Sequence, residues 1–260
     1  MSNELTMSGL KKSYGPVKAV KGVSLALEDG EFVVLVGPTG CGKSTLLRLI
    51  SGLERPDAGH IYLGGERMND VPVGRRGIQL VFQSYALWPY MPVFSMRRWS
   101  NLAFGPRIRR WLPERIVERV SGVMARVGIE EDLSESYPGQ LSSGQQQKVA
   151  IGRAIAIPPR VFLLDEPMAN IDPVARRKVR EELRRVHDEL DSTTLLVTHD
   201  LNDASLLADR IAVMRDGRIL QLDTTDRILS AQADAFVADF FASFDHGQSK
   251  FRRKSAPPNP

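Results

Sequence analysis

The sequence predicts an α/β fold with a parallel sheet at its core, and two observations support this prediction. First, short and almost continuously apolar runs occur at Phe32–Val36, Val161–Leu164 and Thr194–Thr198. Runs of this length without polar alternation are typical of strands that are buried on both faces of a parallel sheet. Second, residues 93–158 are mostly helical in pattern, which indicates a helical subdomain at about 86–158, inserted between two of these strands.

Composition places the chain among ordinary globular proteins. It has 260 residues, of which 42% are hydrophobic and 25% charged, and its net charge is +4. That charge is too small to argue for a nucleic-acid partner, and none is expected. No apolar run approaches the roughly 18 residues that cross a bilayer, and the first residues lack a signal-peptide pattern. With a single cysteine, Cys41, an internal disulfide is excluded. These features predict a cytoplasmic location.

The N-terminal segments alternate between apolar and polar residues. Leu5–Leu10 and Val23–Leu27 follow this pattern, and Tyr14-Gly15-Pro16 separates them. Such alternation predicts antiparallel strands that lead into the first buried strand. The aromatic ring of Tyr14 either packs against its neighbours or offers a face on which a nucleobase can stack. The residues alone do not choose between these two roles.

A glycine-rich segment follows the first buried strand and precedes a helical pattern. It fits G-x-x-x-x-G-K-[ST], the phosphate loop of nucleoside triphosphate sites. Glycines let backbone N–H groups converge on phosphate oxygens, and the helix directs its positive dipole end at the same anion. Lys43 would reach the β- and γ-phosphates, and the Ser44 hydroxyl would hold Mg²⁺. The alternative, a glycine-rich turn before an ordinary helix, is disfavoured by the flanking strand and helix. The loop comprises Gly37, Pro38, Thr39, Gly40, Cys41, Gly42, Lys43, Ser44 and Thr45.

Cys41 lies within this loop and close to a helix N-terminus. Both that position and the neighbouring Lys43 favour a thiolate. We therefore expect alkylation of Cys41 to block nucleotide binding and saturating Mg-nucleotide to protect it.

Two further segments carry polar groups in positions where they can act. Gln83 ends the strand pattern Ile78–Gln83, and is either a surface residue or a ligand of Mg²⁺ or its water. The loop that follows, Tyr85–Pro92, has too many large apolar groups for a solvated loop and predicts a contact with another protein or a neighbouring helix. Farther along, Ser142 begins a helix in Leu141–Gln145. It is either a plain N-cap or part of a second anion-binding helix start.

Carboxylates and a histidine follow the later buried strands. Asp165 and Glu166 end one strand, where Asp165 would hold the Mg²⁺ shell and Glu166 would polarise an attacking water. A solvated acidic turn is the alternative. His199 directly follows Thr194–Thr198 and is either structural or a hydrogen-bond donor to a γ-phosphate.

Taken together, residues 5–240 resemble the ATP-binding cassette (ABC) ATPases, the nucleotide-binding subunits of ABC transporters. The order of phosphate loop, glutamine loop, L-S-x-G-Q signature, acidic strand end and switch histidine is highly specific. The resemblance implies the P-loop NTPase ABC ATPase fold, with ATP and Mg²⁺ bound between two such subunits. The resemblance implies a role for each motif residue. Tyr14 stacks on adenine, Gln83 links the ATP site to the membrane subunit, and Ser142, Gly144 and Gln145 cap the γ-phosphate of the ATP that the opposite subunit holds. Asp165 and Glu166 are the Mg²⁺-shell and catalytic carboxylates, Asp172 belongs to the D-loop, and His199 is the switch histidine.

Two stretches resemble the ATPase subunits of importers of sugars, polyamines, iron(III) or sulphate: the sequence around Gln83, V-F-Q-S-Y-A-L-W-P, and the signature L-S-x-G-Q-Q-Q. This implies a homodimer on the cytoplasmic face of the membrane, bound to a separate permease and served indirectly by a solute-binding protein. We expect an ATPase domain over 1–245, no C-terminal regulatory domain, and a disordered basic tail at 246–260. Two rival interpretations are a non-transport cassette ATPase that acts on nucleic acid or the ribosome, and a weakly active regulatory subunit.

Two features depart from the family pattern. The signature normally has glycine where this chain has Ser143, and if the position needs a positive φ the serine would be strained. We expect Ser143 to slow or weaken closure around ATP. In addition, Ser95–Ser100 resembles an insertion in the region that contacts the membrane subunit. It is either an altered docking contact through Arg97, Arg98 and Trp99 or a tolerated loop.

Overall fold

The computed structural model describes residues 2–242, without the side chains of Val174 and Leu229. The predicted tail at 246–260 lies outside the described residues. Within them no helix is both long and apolar enough to cross a bilayer. The strands are β1 (Leu5–Tyr14), β2 (Val17–Leu27), β3 (Phe32–Val36), β4 (Ala58–Leu63), β5 (Glu66–Arg67), β6 (Ile78–Val81), β7 (Val161–Asp165), β8 (Thr193–Thr198), β9 (Arg210–Arg215) and β10 (Arg218–Thr224). The helices are α1 (Lys43–Ser51), α2 (Phe104–Ile108), α3 (Pro113–Val127), α4 (Ser143–Ile155), α5 (Pro173–Glu189), α6 (Leu201–Leu207) and α7 (Thr225–Ser230).

The strands form two sheets. Five of the six strands of the larger sheet, in the order β9-β3-β8-β7-β6, run parallel, and β10 adds to its edge antiparallel to β9. The smaller sheet has the order β2-β1-β4-β5 and is antiparallel throughout. The predicted α/β fold, with a parallel core and an antiparallel N-terminal sheet, is therefore confirmed.

The parallel sheet separates two hydrophobic cores, and strand β3 shows how. Its five residues are all buried, but alternate side chains enter different cores because successive residues of a strand point to opposite faces. Phe32, Val34 and Val36 pack with α3, α4, α5 and α6, whereas Val33 and Leu35 pack with α1 and the antiparallel sheet. Burial on both faces explains why the sequence of β3 shows no polar alternation.

The inserted helices α2, α3 and α4 lie between β6 and β7, as predicted. Helix α3 begins at Pro113, which is tolerated in a first turn, and ends at Gly128 in a left-handed conformation (φ 65°). The loop before these helices is partly covered by them, because the ring centroid of Trp88 lies 3.9 Å from that of Phe104. Tyr90 in the same loop is 92% exposed.

The Ser95–Ser100 segment has no regular secondary structure, yet it is anchored to α2. The Arg107 guanidinium donates hydrogen bonds to the carbonyls of Ser95 (3.1 Å) and Met96 (2.6 Å). Ser95 and Ser100 are buried, whereas Arg97, Arg98 and Trp99 are exposed. The segment therefore folds as part of the helical region and directs its large side chains outward.

Candidate active site

The phosphate loop joins β3 to α1 in a conformation that only glycine allows. Gly42 immediately precedes α1 with φ 110°, and a Cβ atom there would lie 2.3 Å from the carbonyl oxygen of Ala19. A Cβ atom on Gly37 would lie 2.1 Å from the carbonyl oxygen of Met214. No side chain caps the N-terminus of α1. The first turn of α1 thus offers backbone N–H groups and a positive dipole end to an anion.

Lys43 supplies a cation within the loop itself. The residue is only 6% exposed, and its ammonium group donates hydrogen bonds to the carbonyls of Gly37 (2.7 Å) and Pro38 (3.0 Å). These two acceptors hold the charge inside the concavity of the loop. A triphosphate in the cleft would therefore contact an ammonium group that is largely shielded from bulk water.

The hydroxyl of Ser44 donates a hydrogen bond of 3.0 Å to Oδ1 of Asp165. This contact arises because β3 and β7 run in the same direction in one sheet, so their carboxyl ends share an edge. Burial raises the pKa of the Asp165 carboxyl, an effect that the hydrogen bond from Ser44 and the charges of Arg48 and Lys43 oppose. Together the Ser44 hydroxyl and the Asp165 carboxylate offer oxygen ligands of the kind that bind hard cations.

Glu166 and His199 face each other at the same edge. Nδ1 of His199 lies 2.6 Å from Oε2 of Glu166, whose side chain is 13% exposed. The backbone N–H of Glu166 donates to the carbonyl of Val197 in β8 (3.0 Å), and the residue has the left-handed φ of 48°. A non-glycine residue held in that region is strained and needs its surroundings to keep it there. The position of the carboxylate is therefore imposed by the strand beside it.

Lys43, Ser44, Glu166 and His199 line one cleft of about 450 Å³. The predicted residues that line it are Thr39, Gly40, Gly42, Lys43, Ser44, Thr45, Gln83, Glu166 and His199. A second wall was not predicted: it comes from Val17, Lys18, Ala19 and Lys21 in β2 and from the Asp216-Gly217 turn between β9 and β10. A backbone hydrogen bond from Lys21 N–H to Gly217 O (2.8 Å) joins the two parts of this wall, and one from Gly217 N–H to Cys41 O (2.9 Å) joins the wall to the loop. Neither segment has a sequence motif that indicates a nucleotide site.

Other predicted residues do not line the cleft, among them Gly37, Pro38, Cys41 and Asp165. Tyr14 is 42% exposed and lies outside it, although Val17, its pairing partner across the hairpin, is part of the wall. The signature residues Ser142–Gln145 and the D-loop residue Asp172 also lie outside it. The Asp172 carboxylate accepts a hydrogen bond from the backbone N–H of Ala175 (2.9 Å) at the start of α5.

The signature forms the N-terminus of α4 and is capped within the chain. The Ser142 hydroxyl accepts a hydrogen bond from the Gln145 N–H (3.3 Å), and the Gln145 side chain accepts one from the Ser142 N–H (2.9 Å). Ser143 is the first residue of α4 and has no positive φ. The condition under which Ser143 would be strained, a positive φ, is therefore not met, and its effect on closure around ATP stays a prediction.

The expectation that Cys41 favours the thiolate form is wrong. Burial raises the pKa of the Cys41 thiol, and this outweighs the lowering effect of Lys43, whose Nζ lies 3.9 Å from Sγ. The thiol is only 5% exposed. Desolvation of the charged form decides the outcome here, since the side chain is turned into the core rather than toward the cleft.

Comparison with known proteins agrees with this geometry. The sequence profile described as ABC transporter matches residues 20–169. The chain is 46% identical over 240 residues to the alpha-glucoside transport ATP-binding protein AglK of Rhizobium meliloti, covering 92% of this chain and 65% of that protein. It is 47% identical over 234 residues to the sn-glycerol-3-phosphate import ATP-binding protein UgpC 2 of Rhizobium johnstonii, covering 90% and 66%. The chain thus spans about two thirds of the length of these relatives.

Solved structures give the same result for the fold. The chain is similar to cbiO1 from Clostridium perfringens, part of the ABC transporter complex cbiONQ, with a TM-score of 0.78, 28% identity and coverage of 90% of this chain and 93% of that chain. The dimeric structure of MJ0796, a bacterial ABC transporter cassette, aligns with a TM-score of 0.72 and 30% identity, covering 85% and 98%. The same cassette is also known in a dimeric post-hydrolysis state bound to ADP and Pi. By sequence profile, relatives and fold, the chain belongs to the ABC transporter family.

Proposed function

We propose that this chain is the ATP-binding and ATP-hydrolysing subunit of an ABC importer. The observation that carries the proposal is the pair of Glu166 and His199, which faces the Lys43 and Ser44 side of a single cleft. The cleft thus combines an anion-binding helix terminus, a buried cation and a carboxylate that can activate water. These are the parts that phosphoryl transfer to water requires.

Ser44 and Asp165 would hold Mg²⁺. Among the described residues no cluster of three or more acidic, histidine or cysteine side chains could hold a metal alone. That agrees with Mg²⁺, which is usually bound through one or two carboxylates together with substrate phosphates and water. The ion would neutralise charge that develops on the β- and γ-phosphates.

The protein groups divide the remaining work. Lys43 exchanges its two carbonyl partners for phosphate oxygens, and the α1 N–H groups surround the same phosphates. Glu166 accepts a hydrogen bond from the attacking water and orients it toward the γ-phosphate. His199, held by Glu166, donates a hydrogen bond to the γ-phosphate from its other ring nitrogen. The fixed backbone of Glu166 keeps this geometry before substrate arrives.

A second copy of the chain would complete each site. The Ser142–Gln145 helix start and Asp172 lie outside the cleft of their own subunit, so in this arrangement they would meet a nucleotide bound by a partner. The dimeric assembly of the MJ0796 cassette supports this arrangement. ATP would then join two subunits face to face, and its hydrolysis would separate them.

The importer assignment rests on the relatives, whose names describe alpha-glucoside transport and sn-glycerol-3-phosphate import. By analogy this chain would act at the cytoplasmic face of a membrane and transmit closure to a separate permease through the 85–105 region. A solute-binding protein would deliver the solute to that permease. The permease and the binding protein select the solute, so we assign none.

Dimerisation of a hydrolysis-deficient variant tests the proposal. With Glu166→Gln, bound ATP should persist, and the chain should change from monomer to dimer on addition of Mg-ATP in analytical ultracentrifugation. Glu181→Gln is the matched control, because Glu181 lies outside the cleft and pairs with the exposed Arg177 on α5; it should hydrolyse ATP at the wild-type rate. A Glu166→Gln protein that stays monomeric at saturating Mg-ATP would refute the shared site.

A further inference from the structure

Charge is distributed unevenly along the chain. The segment 71–113 contains seven arginines and no aspartate, glutamate or lysine, whereas the chain as a whole has a net charge of only +4. This segment includes the loop before α2, the Ser95–Ser100 insertion, α2 and the turn that leads to α3. A concentration of one sign of charge in a nearly neutral protein indicates an anionic partner for that region.

Folding engages three of these arginines within the protein. Arg76 is buried and donates to the carbonyl of Ile50 (2.9 Å), and Arg107 donates to the carbonyls of the insertion. Arg98 forms an ion pair with Glu135. These three are positioned by the fold and do not provide free charge.

The other four arginines remain exposed and form the surface that we call the arginine patch: Arg75, Arg97, Arg109 and Arg110. Within the part of the chain that the structure describes, none of the four forms an ion pair. The turns that carry them are neighbours, since the Arg109 guanidinium lies 3.5 Å from the carbonyl oxygen of Gly74. Arg107 links the insertion, with Arg97, to the same end of α2.

Exposed apolar side chains accompany the patch. Leu112 is 71% exposed, Ile108 59% and Trp99 49%. Trp99 also contacts the Arg107 guanidinium, which lies 5.7 Å from its ring centroid. Single aliphatic and aromatic groups interspersed with arginine are typical of surfaces that lie in the headgroup layer of a membrane.

We propose that the arginine patch binds the anionic headgroups of a membrane surface. The four charges lie on separate turns, and the apolar groups stand singly between them. A fluid layer of phosphate headgroups can match such spacing without a complementary shape. The contact would hold the helical region against the membrane beside the permease. It goes beyond the proposed ATPase function and is independent of nucleotide.

Co-sedimentation with lipid vesicles tests the proposal. The full chain, without nucleotide, is mixed with phosphatidylcholine vesicles or with vesicles in which about one lipid in three is phosphatidylglycerol. Binding is expected only to the anionic vesicles and should weaken as salt rises, because screening shortens the reach of each charge. The combined change R97Q, R109Q and R110Q should weaken that binding by about tenfold or more.

The matched control removes three exposed arginines elsewhere: R55Q, R177Q and R218Q. It lowers net charge by the same amount and should bind nearly as well as the wild type. A second variant, L112S with I108S, keeps every charge and should weaken binding less than the triple arginine change. The proposal would be overturned if the two triple arginine variants lost vesicle binding equally or if the wild type bound neutral vesicles as well as anionic ones. It would also be overturned if the chain bound RNA but not anionic vesicles. Because no ATP is present, failure here is separable from failure of the ATPase proposal.

Discussion

Two helix N-termini of this protein have similar sequences of small and polar residues, but the fold treats them differently. Helix α1 begins after Gly42 without a side-chain cap, inside a cleft, beside Lys43 and opposite Glu166. Helix α4 begins after Ser142, is capped by its own Gln145, and lies outside that cleft. The first terminus is suited to bind an anion in the cleft of its own subunit. The second is stable alone and is available to a partner, as the shared-site proposal requires.

The largest expected effect separates the two termini by mixing variants. Lys43→Ala removes the buried cation and should lower ATP hydrolysis by about 100-fold or more, and Ser142→Ala should lower it about tenfold by weakening the contact with the partner's nucleotide. A mixture of the two variants forms dimers with one intact site. Its hydrolysis, measured as phosphate release, should therefore exceed the sum of the separate activities. A purely additive result would mean that each chain has a complete site.

Stability gives the next contrast, through one matched pair of substitutions. Gly42→Ala places a Cβ atom 2.3 Å from a backbone carbonyl at φ 110°, and should destabilise the protein by more than about 2 kcal/mol. In Gly144→Ala the new Cβ atom has no heavy atom within 4 Å, and the residue lies in the first turn of α4. It should therefore be neutral or stabilise by up to about 1 kcal/mol. Urea unfolding of both variants would measure the difference, and equal destabilisation would contradict it.

The pH dependence of stability tests whether the buried Asp165 carboxylate, which lies beside Ser44 of α1, destabilises the folded protein when it is charged. Its folded pKa is raised above the unfolded value, so its contribution to stability is fully present below the unfolded pKa and is lost as pH rises through the folded pKa. Asp165→Asn should therefore raise the unfolding temperature of the nucleotide-free protein at pH 7 more than at pH 3. Mg-ATP should stabilise the wild type and not this variant. If the variant unfolds at a lower temperature than the wild type at pH 7 without nucleotide, the charge on Asp165 does not destabilise the folded protein.

The smallest effect is expected at the α4 terminus. Because Ser143 has an ordinary helical backbone, Ser143→Gly relieves no strain and should change the turnover of ATP by less than about twofold. The added glycine should cost the helix up to about 1 kcal/mol in unfolding free energy. Steady-state hydrolysis and urea unfolding would measure both quantities. A large increase in turnover would restore the idea that Ser143 restrains closure.

Much of the site could be predicted because its chemistry is local in sequence. The glycine pattern of the phosphate loop, the acidic pair after β7 and the histidine after β8 each follow a recognisable strand. Parallel strands bring their carboxyl ends to one edge, so the meeting of Ser44 with Asp165 followed from fold class. The cleft wall formed by β2 and the Asp216-Gly217 turn could not be predicted, since it depends on backbone packing between elements far apart in the chain.

The sequence by itself determined the fold class, the order of the motifs and the type of chemistry, because strand length, helical period and glycine spacing are set by residues close together. Only the tertiary structure decided three other matters: that Cys41 is turned into the core, that Ser143 is helical, and that α4 starts outside its own cleft. Each of these depends on burial or on backbone conformation. Both are fixed by contacts with distant parts of the chain, which a local pattern does not record.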